Sequence, residues 1–307
     1  MITLASGILL HFMYFNIMVL YAVEEQANRI NSKVLSELNL TEIKTQKVHV
    51  ADIDIAYKMF GSGSLVLLIN GFAAPMDFWD PILLKELSTN HTIIVFDNRG
   101  IGNTTSGEKH FSIKQLANDT AGLLEALKIK KADVIGWSMG GMIVQELALA
   151  YPDKVGKLVI YSSTCGGIES KPPTQEVLTL FANPSGSSLE KIQRFLPLLF
   201  PMNWRTQNPD YFESLPKIPE IISDETLNQQ LNAIMDWAGS CGQLANIENP
   251  TLVIVGTDDV FAVPINSVLI TERIPGAKLI QTEDGGHGLM FQYPETFSRN
   301  VHDFLFS

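Results

Sequence analysis

Asp133-Val134-Ile135-Gly136-Trp137-Ser138-Met139-Gly140-Gly141-Met142-Ile143 is the stretch that decides how this chain folds. Asp133–Trp137 is a short apolar run, and past the glycines Met142, Ile143, Leu147 and Ala150 recur at the helical period. The reading is a buried strand, a tight turn with Ser138 at its apex, and a helix. Such a turn brings neighbouring backbone so close that a side chain two positions either way from the serine would collide, hence glycine at 136 and 140. The strain holds Oγ proud of the strand ends, at a helix N-terminus whose dipole favours developing negative charge. A bare G-x-S-x-G is a weak signal. Between a strand and a helix at these distances it is the signature of a nucleophile elbow.

Working outward, the same alternation repeats. Leu65–Asn70, Thr92–Asp97, Leu158–Ser162, Thr251–Gly256 and Lys278–Gln281 are continuous apolar runs, as strands buried on both faces require. Ile113, Leu116, Ala117, Thr120, Leu123, Leu124 and Leu127 mark an amphipathic helix between two of them. Ahead of the series, Val48, Val50, Ile53, Ile55 and Tyr57 alternate on either side of Ala51-Asp52, which reads as an antiparallel hairpin. The fold class is therefore α/β, with a mostly parallel eight-stranded sheet covered by helices on both faces. The alternation fails once, from about 165 to 245. There Pro172-Pro173, Pro184, Pro197, Pro201, Pro209, Pro216 and Pro219 separate short helical patterns. A stretch of that length needs structure of its own, and it reads as a helical lid inserted over the strand ends.

A serine hydroxyl is a poor nucleophile until a base takes its proton. At an elbow of this kind the acid and then the histidine follow in chain order. Only His287 and His302 come after Ser138. His287 lies in the glycine-rich loop Asp284-Gly285-Gly286-His287-Gly288, while His302 falls in a terminal helix over Phe297–Phe306, so His287 is the expected base. The acid is sought just past Thr251–Gly256, where Asp258 and Asp259 compete. Neighbouring loop residues point different ways, so one of them orients the imidazole and the other caps the loop or faces water; Asp259 is preferred. An oxyanion needs backbone donors. The candidates are the N–H of Met139 and the N–H of Phe72, in the loop Asn70-Gly71-Phe72-Ala73 where Gly71 lets backbone approach. Trp137 and Met139 flank the serine and are read as lining the acyl pocket, with plain packing as the alternative.

Taken together, Asn70-Gly71-Phe72 with Trp79, Phe96-Asp97-Asn98-Arg99-Gly100-Ile101-Gly102-Asn103, Gly136–Gly141, Tyr151-Pro152-Asp153-Lys154-Val155, Gly256–Asp259 with Pro264, and Gly286-His287-Gly288 resemble the α/β-hydrolase superfamily. The nearest likeness is to the branch holding enol-lactonases of the oxoadipate type, carboxylesterases and cofactor-free haloperoxidases. The resemblance covers 47–167 and 249–305. It supports Asp259, because the family's acid stands three residues after the glycine matched by Gly256. Two departures stand out. Asn70 replaces the histidine that usually opens the oxyanion loop, and Asn103-Thr104-Thr105 stands where Gly-x-Ser is common. Relatives with an aspartate nucleophile run dehalogenase or epoxide chemistry, which a serine at 138 excludes.

Composition narrows the function further. The 307 residues are 46% hydrophobic and 18% charged, with a net charge of −11. That suits a chain with a sizeable core, and the missing Lys/Arg clusters exclude a nucleic-acid binder. Arg99, in a tight turn between glycines, is read as structural. The two cysteines, Cys165 and Cys241, are too few for a disulfide framework or a four-thiolate zinc site. They are expected as separate buried thiols, with a disulfide across the stems of the insertion as the alternative. Residues 1–23 carry no Asp, Glu, Lys or Arg and are long enough to span a bilayer. They read as an anchor or uncleaved signal, and 24–45 as a linker to the domain at 46–307. Sequons at Asn39, Asn90, Asn103 and Asn118 suit export; otherwise the chain is cytoplasmic. The expected activity is hydrolysis of a carboxylic ester or lactone, a small-molecule substrate, through an acyl-enzyme. No metal or organic cofactor is implied, and oligomeric state is not legible. The rivals are a lipase-like or perhydrolase-like activity and a receptor-like binding module on the same fold.

Overall fold

The alternating valines and isoleucines at the start of the globular part pair across a two-residue turn. β1 (Gln46–Val50) runs antiparallel to β2 (Ile53–Gly61), with Val50 opposite Ile53. In this computed structural model the described residues are 40–307 without 182, 184, 188–189, 192–193, 195 and 217–221. The apolar stretch 1–23 and the linker residues 24–39 lie outside them.

Six further strands follow: β3 (Ser64–Ile69), β4 (His91–Phe96), β5 (Ala132–Trp137), β6 (Val155–Tyr161), β7 (Thr251–Gly256) and β8 (Lys278–Thr282). They form one eight-stranded sheet in the order β1-β2-β4-β3-β5-β6-β7-β8. β2 pairs antiparallel with β4, and every later pairing is parallel. The helices that connect and follow them are α1 (Pro81–Ser88), α2 (Ile113–Ala126), α3 (Met139–Ala150), α4 (Gln175–Phe181), α5 (Met202–Gln207), α6 (Tyr211–Ser214), α7 (Asp224–Met235), α8 (Pro264–Arg273), α9 (Leu289–Gln292) and α10 (Pro294–Phe306).

The strand pleat explains the layers. Leu67, Ile69, Ile94 and Val134 share a core with the apolar faces of α2 and α3. Their neighbours Val66, Leu68, Ile93 and Val95 are equally buried. Side chains alternate across a strand, so these face a second apolar layer, where α1 packs on α10. α3 is buried along nearly its whole length, so its first turn carries no amphipathic signature. That is why it begins at Met139, three residues before the periodic pattern does. β6 likewise begins at Val155, because half-buried Gly156 and Lys157 interrupt the apolar run.

Arg99 ties the entry hairpin to α2. Its guanidinium, fully buried, donates to both carboxylate oxygens of Asp52 and of Asp119 at 2.7–2.9 Å, the structural role expected of it. Thr41–Ser307 is one compact unit, and among the described residues no helix is long and apolar enough to cross a membrane.

Between β6 and β7 the described residues hold the helices α4 to α7 and no strand. The ends of this segment are fastened together. Cys165 and Cys241 are joined in a disulfide, which corrects the expectation of two separate thiols. Sequence spacing cannot show why. Ser240 N–H donates to the Cys165 carbonyl at 2.7 Å, and Gln145 of α3 meets Ser240 Oγ and the Thr164 carbonyl. The chain leaves and returns through one point.

Candidate active site

Ser138 sits between the end of β5 and the start of α3 with φ 57° and ψ −117°. That conformation is costly for any residue with a side chain and persists only when the surroundings impose it. The surroundings are the glycines. A β-carbon on Gly136 would strike the Gly140 carbonyl, and one on Gly140 would strike the Ile69 carbonyl of the neighbouring strand. The Ser138 carbonyl accepts from Gly141 N–H at 2.9 Å and from Ser163 Oγ at 2.7 Å, which locks the turn.

His287 meets the carboxylate of Asp259, with Nδ1 at 3.0 and 2.9 Å from its two oxygens. The pair is shielded, His287 at 5% exposure and Asp259 at 3%. Asp259 Oδ1 also accepts from Phe261 N–H at 2.9 Å and Ala262 N–H at 2.8 Å, so the carboxylate cannot swing. Asp258 is exposed, and its backbone N–H is spent on the Gly285 carbonyl. Of the two adjacent carboxylates, the one preferred from sequence is the one that meets the imidazole. With the Nδ1 proton turned toward Asp259, Nε2 is left as the acceptor. The His287 carbonyl is held from below by Tyr161 Oη at 2.7 Å and by Trp137 Nε1 at 3.1 Å.

Ser138 and His287 line one cavity of about 270 Å³, together with Phe72 and Trp137. Ala73, Ala74, Phe78, Met142 and Phe261 add to the wall, and the segment between β6 and β7 closes it through Val177, Leu178, Phe181, Leu199 and Met235. Among the described residues no Asp, Glu, Lys or Arg lines it. The side chain of Trp137 is among those lining this cavity. The side chain of Met139 is not; it is fully buried in the core between the sheet and α2, so packing wins for that residue. The loop after β3 lies hard against the nucleophile: a β-carbon on Gly71 would fall 3.0 Å from Ser138 Cβ and 3.2 Å from the Trp137 carbonyl. This brings the backbone of Phe72 beside Ser138. The Asn70 amide donates to the Pro75 carbonyl at 2.6 Å and closes that turn. Among the described residues no cluster of three or more His, Cys, Asp or Glu forms that would hold a metal.

A profile of the α/β-hydrolase fold matches residues 64–294. The chain belongs to the α/β-hydrolase family. It is 28% identical over 262 residues to the putative carbamate hydrolase RutD of Azorhizobium caulinodans, a match covering 83% of this chain and 96% of that one. Among solved structures it is similar to a hydrolase from Pseudomonas aeruginosa PA01, with TM-score 0.75 and 25% identity over 88% of this chain and all of that one. It also shares its fold with the enol-lactonase from Burkholderia xenovorans LB400, with TM-score 0.74 and 23% identity over 85% of this chain and all of the other. This α/β-hydrolase is accordingly a hydrolase. Tyr161 escaped the sequence reading. As the last residue of an apolar strand it looks like any core aromatic, and its partner stands 126 positions away.

Proposed function

We propose that this α/β-hydrolase cleaves a carboxylic ester or lactone whose acyl part is neutral and apolar, through an acyl-enzyme on Ser138. The observation that carries the reading is the Nδ1 contact of His287 with the buried Asp259, His287 itself lining the cavity that also receives the strained Ser138. In this scheme Ser138 Oγ attacks the substrate carbonyl while His287 Nε2 takes its proton. The N–H groups of Met139 and Phe72 receive the oxyanion. The tetrahedral adduct collapses, the ester C–O bond breaks, and His287 protonates the leaving alkoxide. Water then enters, gives its proton to His287, and the acid departs as Oγ recovers that proton. Asp259 keeps the imidazole in one tautomer and stabilises it while charged.

The preference for a neutral acyl part follows from the wall chemistry. A carboxylate moved into a cavity without a cationic partner loses its hydration and gains nothing in return. The helical segment at about 165–245 then serves as a lid, since its side chains form much of that wall. The disulfide fits an oxidising compartment and supports reading residues 1–23 as an anchor or export signal.

The test is a series of p-nitrophenyl esters of rising acyl length, with one member also made as its ω-carboxylate. The reading expects kcat/KM to rise with length until the cavity is full, and to fall by roughly a hundredfold or more on adding the carboxylate. A preference for the ω-carboxylate would reject the neutral-acyl assignment.

A further inference from the structure

We infer that Gln230 of α7 is a positioning residue for the oxyanion site: its side-chain carbonyl fixes the loop that carries the Phe72 N–H. This rests on the acyl-enzyme reading above. Ala73 N–H donates to Gln230 Oε1 at 2.9 Å, across 157 positions of chain. Gln230 is wholly buried and Ala73 is 3% exposed. Because a backbone N–H can be met only by an oxygen here, the contact also sets which way the amide lies. A glutamine turned into the interior of a protein is costly unless its polar atoms are used; here Oε1 is used on the Ala73 N–H, while Nε2 has no hydrogen-bond partner among the described residues. An apolar residue of the same length would pack there as well and leave the Ala73 N–H without an acceptor.

Ala73 has particular need of such a hold. Its φ is +56°, the left-handed region that a non-glycine residue occupies only under constraint. From the sheet side the loop is fixed by the Asn70 amide on the Pro75 carbonyl at 2.6 Å and the Asn98 amide on the Asn70 carbonyl at 3.2 Å. From the other side it meets α7. Ile222 and Leu227 form a small apolar cluster with Ala73 and Ile101, and Phe72 packs against it. The register of α7 is set by Ser223, whose hydroxyl accepts from Thr226 N–H at 3.1 Å. Phe72, the residue proposed to present its N–H to the oxyanion, therefore stands between a glycine pressed on Ser138 and an alanine tied to the helix. Oxyanion donors lose effect when displaced by about half an ångström. Releasing Ala73 removes the restraint next to that donor.

The test uses the full chain, with Gln230→Met as the variant of equal length that lacks the acceptor. Two inhibitors with the same acyl chain are compared, a trifluoromethyl ketone, which adds to the serine and forms an oxyanion, and the methyl ketone, which does not. Expected for Gln230→Met is a fall in kcat on p-nitrophenyl butyrate of about 10–100-fold with KM within about threefold. The trifluoromethyl ketone should weaken by the same factor and the methyl ketone should be unchanged. A purely structural role would weaken both ketones together, and that result, or no change in either, overturns the inference. Hydrogen exchange of the Ala73 amide in the parent stands in if the variant does not fold. Strong protection is expected, and exchange at an open-loop rate overturns the contact. A parent that neither turns over nor binds the trifluoromethyl ketone more tightly than the methyl ketone removes the acyl-enzyme reading, and this inference with it. A parent that does both while Gln230→Met matches it removes the inference alone.

Discussion

At the scale of single residues, Asp259 and Asp258 share a loop but not an environment. Asp259 is buried, receives two backbone N–H groups and faces His287 Nδ1, whereas Asp258 is exposed. If Asp259 orients the base, Asp259→Asn favours the wrong imidazole tautomer. It should lower kcat by roughly 10³–10⁴-fold with little change in KM, while Asp258→Asn should stay within about threefold; steady-state kinetics on one ester decides both. These positions were legible in the sequence because each is announced locally, by glycines, by a strand end or by chain order. The residues that hold them were not. Tyr161 supports the His287 carbonyl and Gln230 supports Ala73 through contacts created by the sheet and by α7, and nothing beside them in the chain marks those partners.

At the scale of elements, strands and amphipathic helices could be read from periodicity because each buries one continuous face or two. The segment between β6 and β7 could be bounded but not drawn, since short helices broken by proline carry too few turns to show a period. Its fastening by Cys165–Cys241 depends on two stems meeting in space. Closing a loop with a sequence separation of 76 by a disulfide contributes about 2–4 kcal/mol. The double substitution Cys165→Ser with Cys241→Ser should therefore lower the melting temperature by roughly 5–15 °C in calorimetry. The start of α1 offers a pH test. Asp80 caps that helix, accepting from Ile82 and Leu83 N–H at 2.9 and 3.1 Å. Burial pushes its carboxyl up from 3.8 to about 7, against those two N–H groups and with a small push from Glu295. A group raised in the folded state contributes stability that is present below its unfolded pKa and lost as pH rises through the folded one. The window here runs from about 4 to 7. Asp80→Asn keeps an oxygen for the cap and removes the buried charge. Its melting temperature relative to the parent should therefore be more favourable at pH 8 than at pH 5. A difference that does not change with pH would mean Asp80 is ionised throughout.

At the scale of the whole molecule, the sheet serves to bring distant loops to one edge. The elbow after β5, the loop after β3, the Asp259 loop after β7 and the His287 loop after β8 all leave the C-terminal ends of parallel strands. That is where an open α/β sheet gathers ligand-binding groups. The family and its mostly parallel eight-stranded sheet were readable from the chain. The acyl group was not, because much of the cavity wall is built by side chains of the segment from 165 to 245. Family membership alone leaves the nucleophile to be tested, since a fold hosts many functions. What decides it is whether Ser138 carries turnover. Initial rates on p-nitrophenyl butyrate for the full chain and its Ser138→Ala variant answer that most directly. The account predicts a parent that turns over and a variant slower by roughly 10⁴–10⁶-fold. A variant within about tenfold of the parent, or a parent with no turnover on esters or lactones, would contradict it.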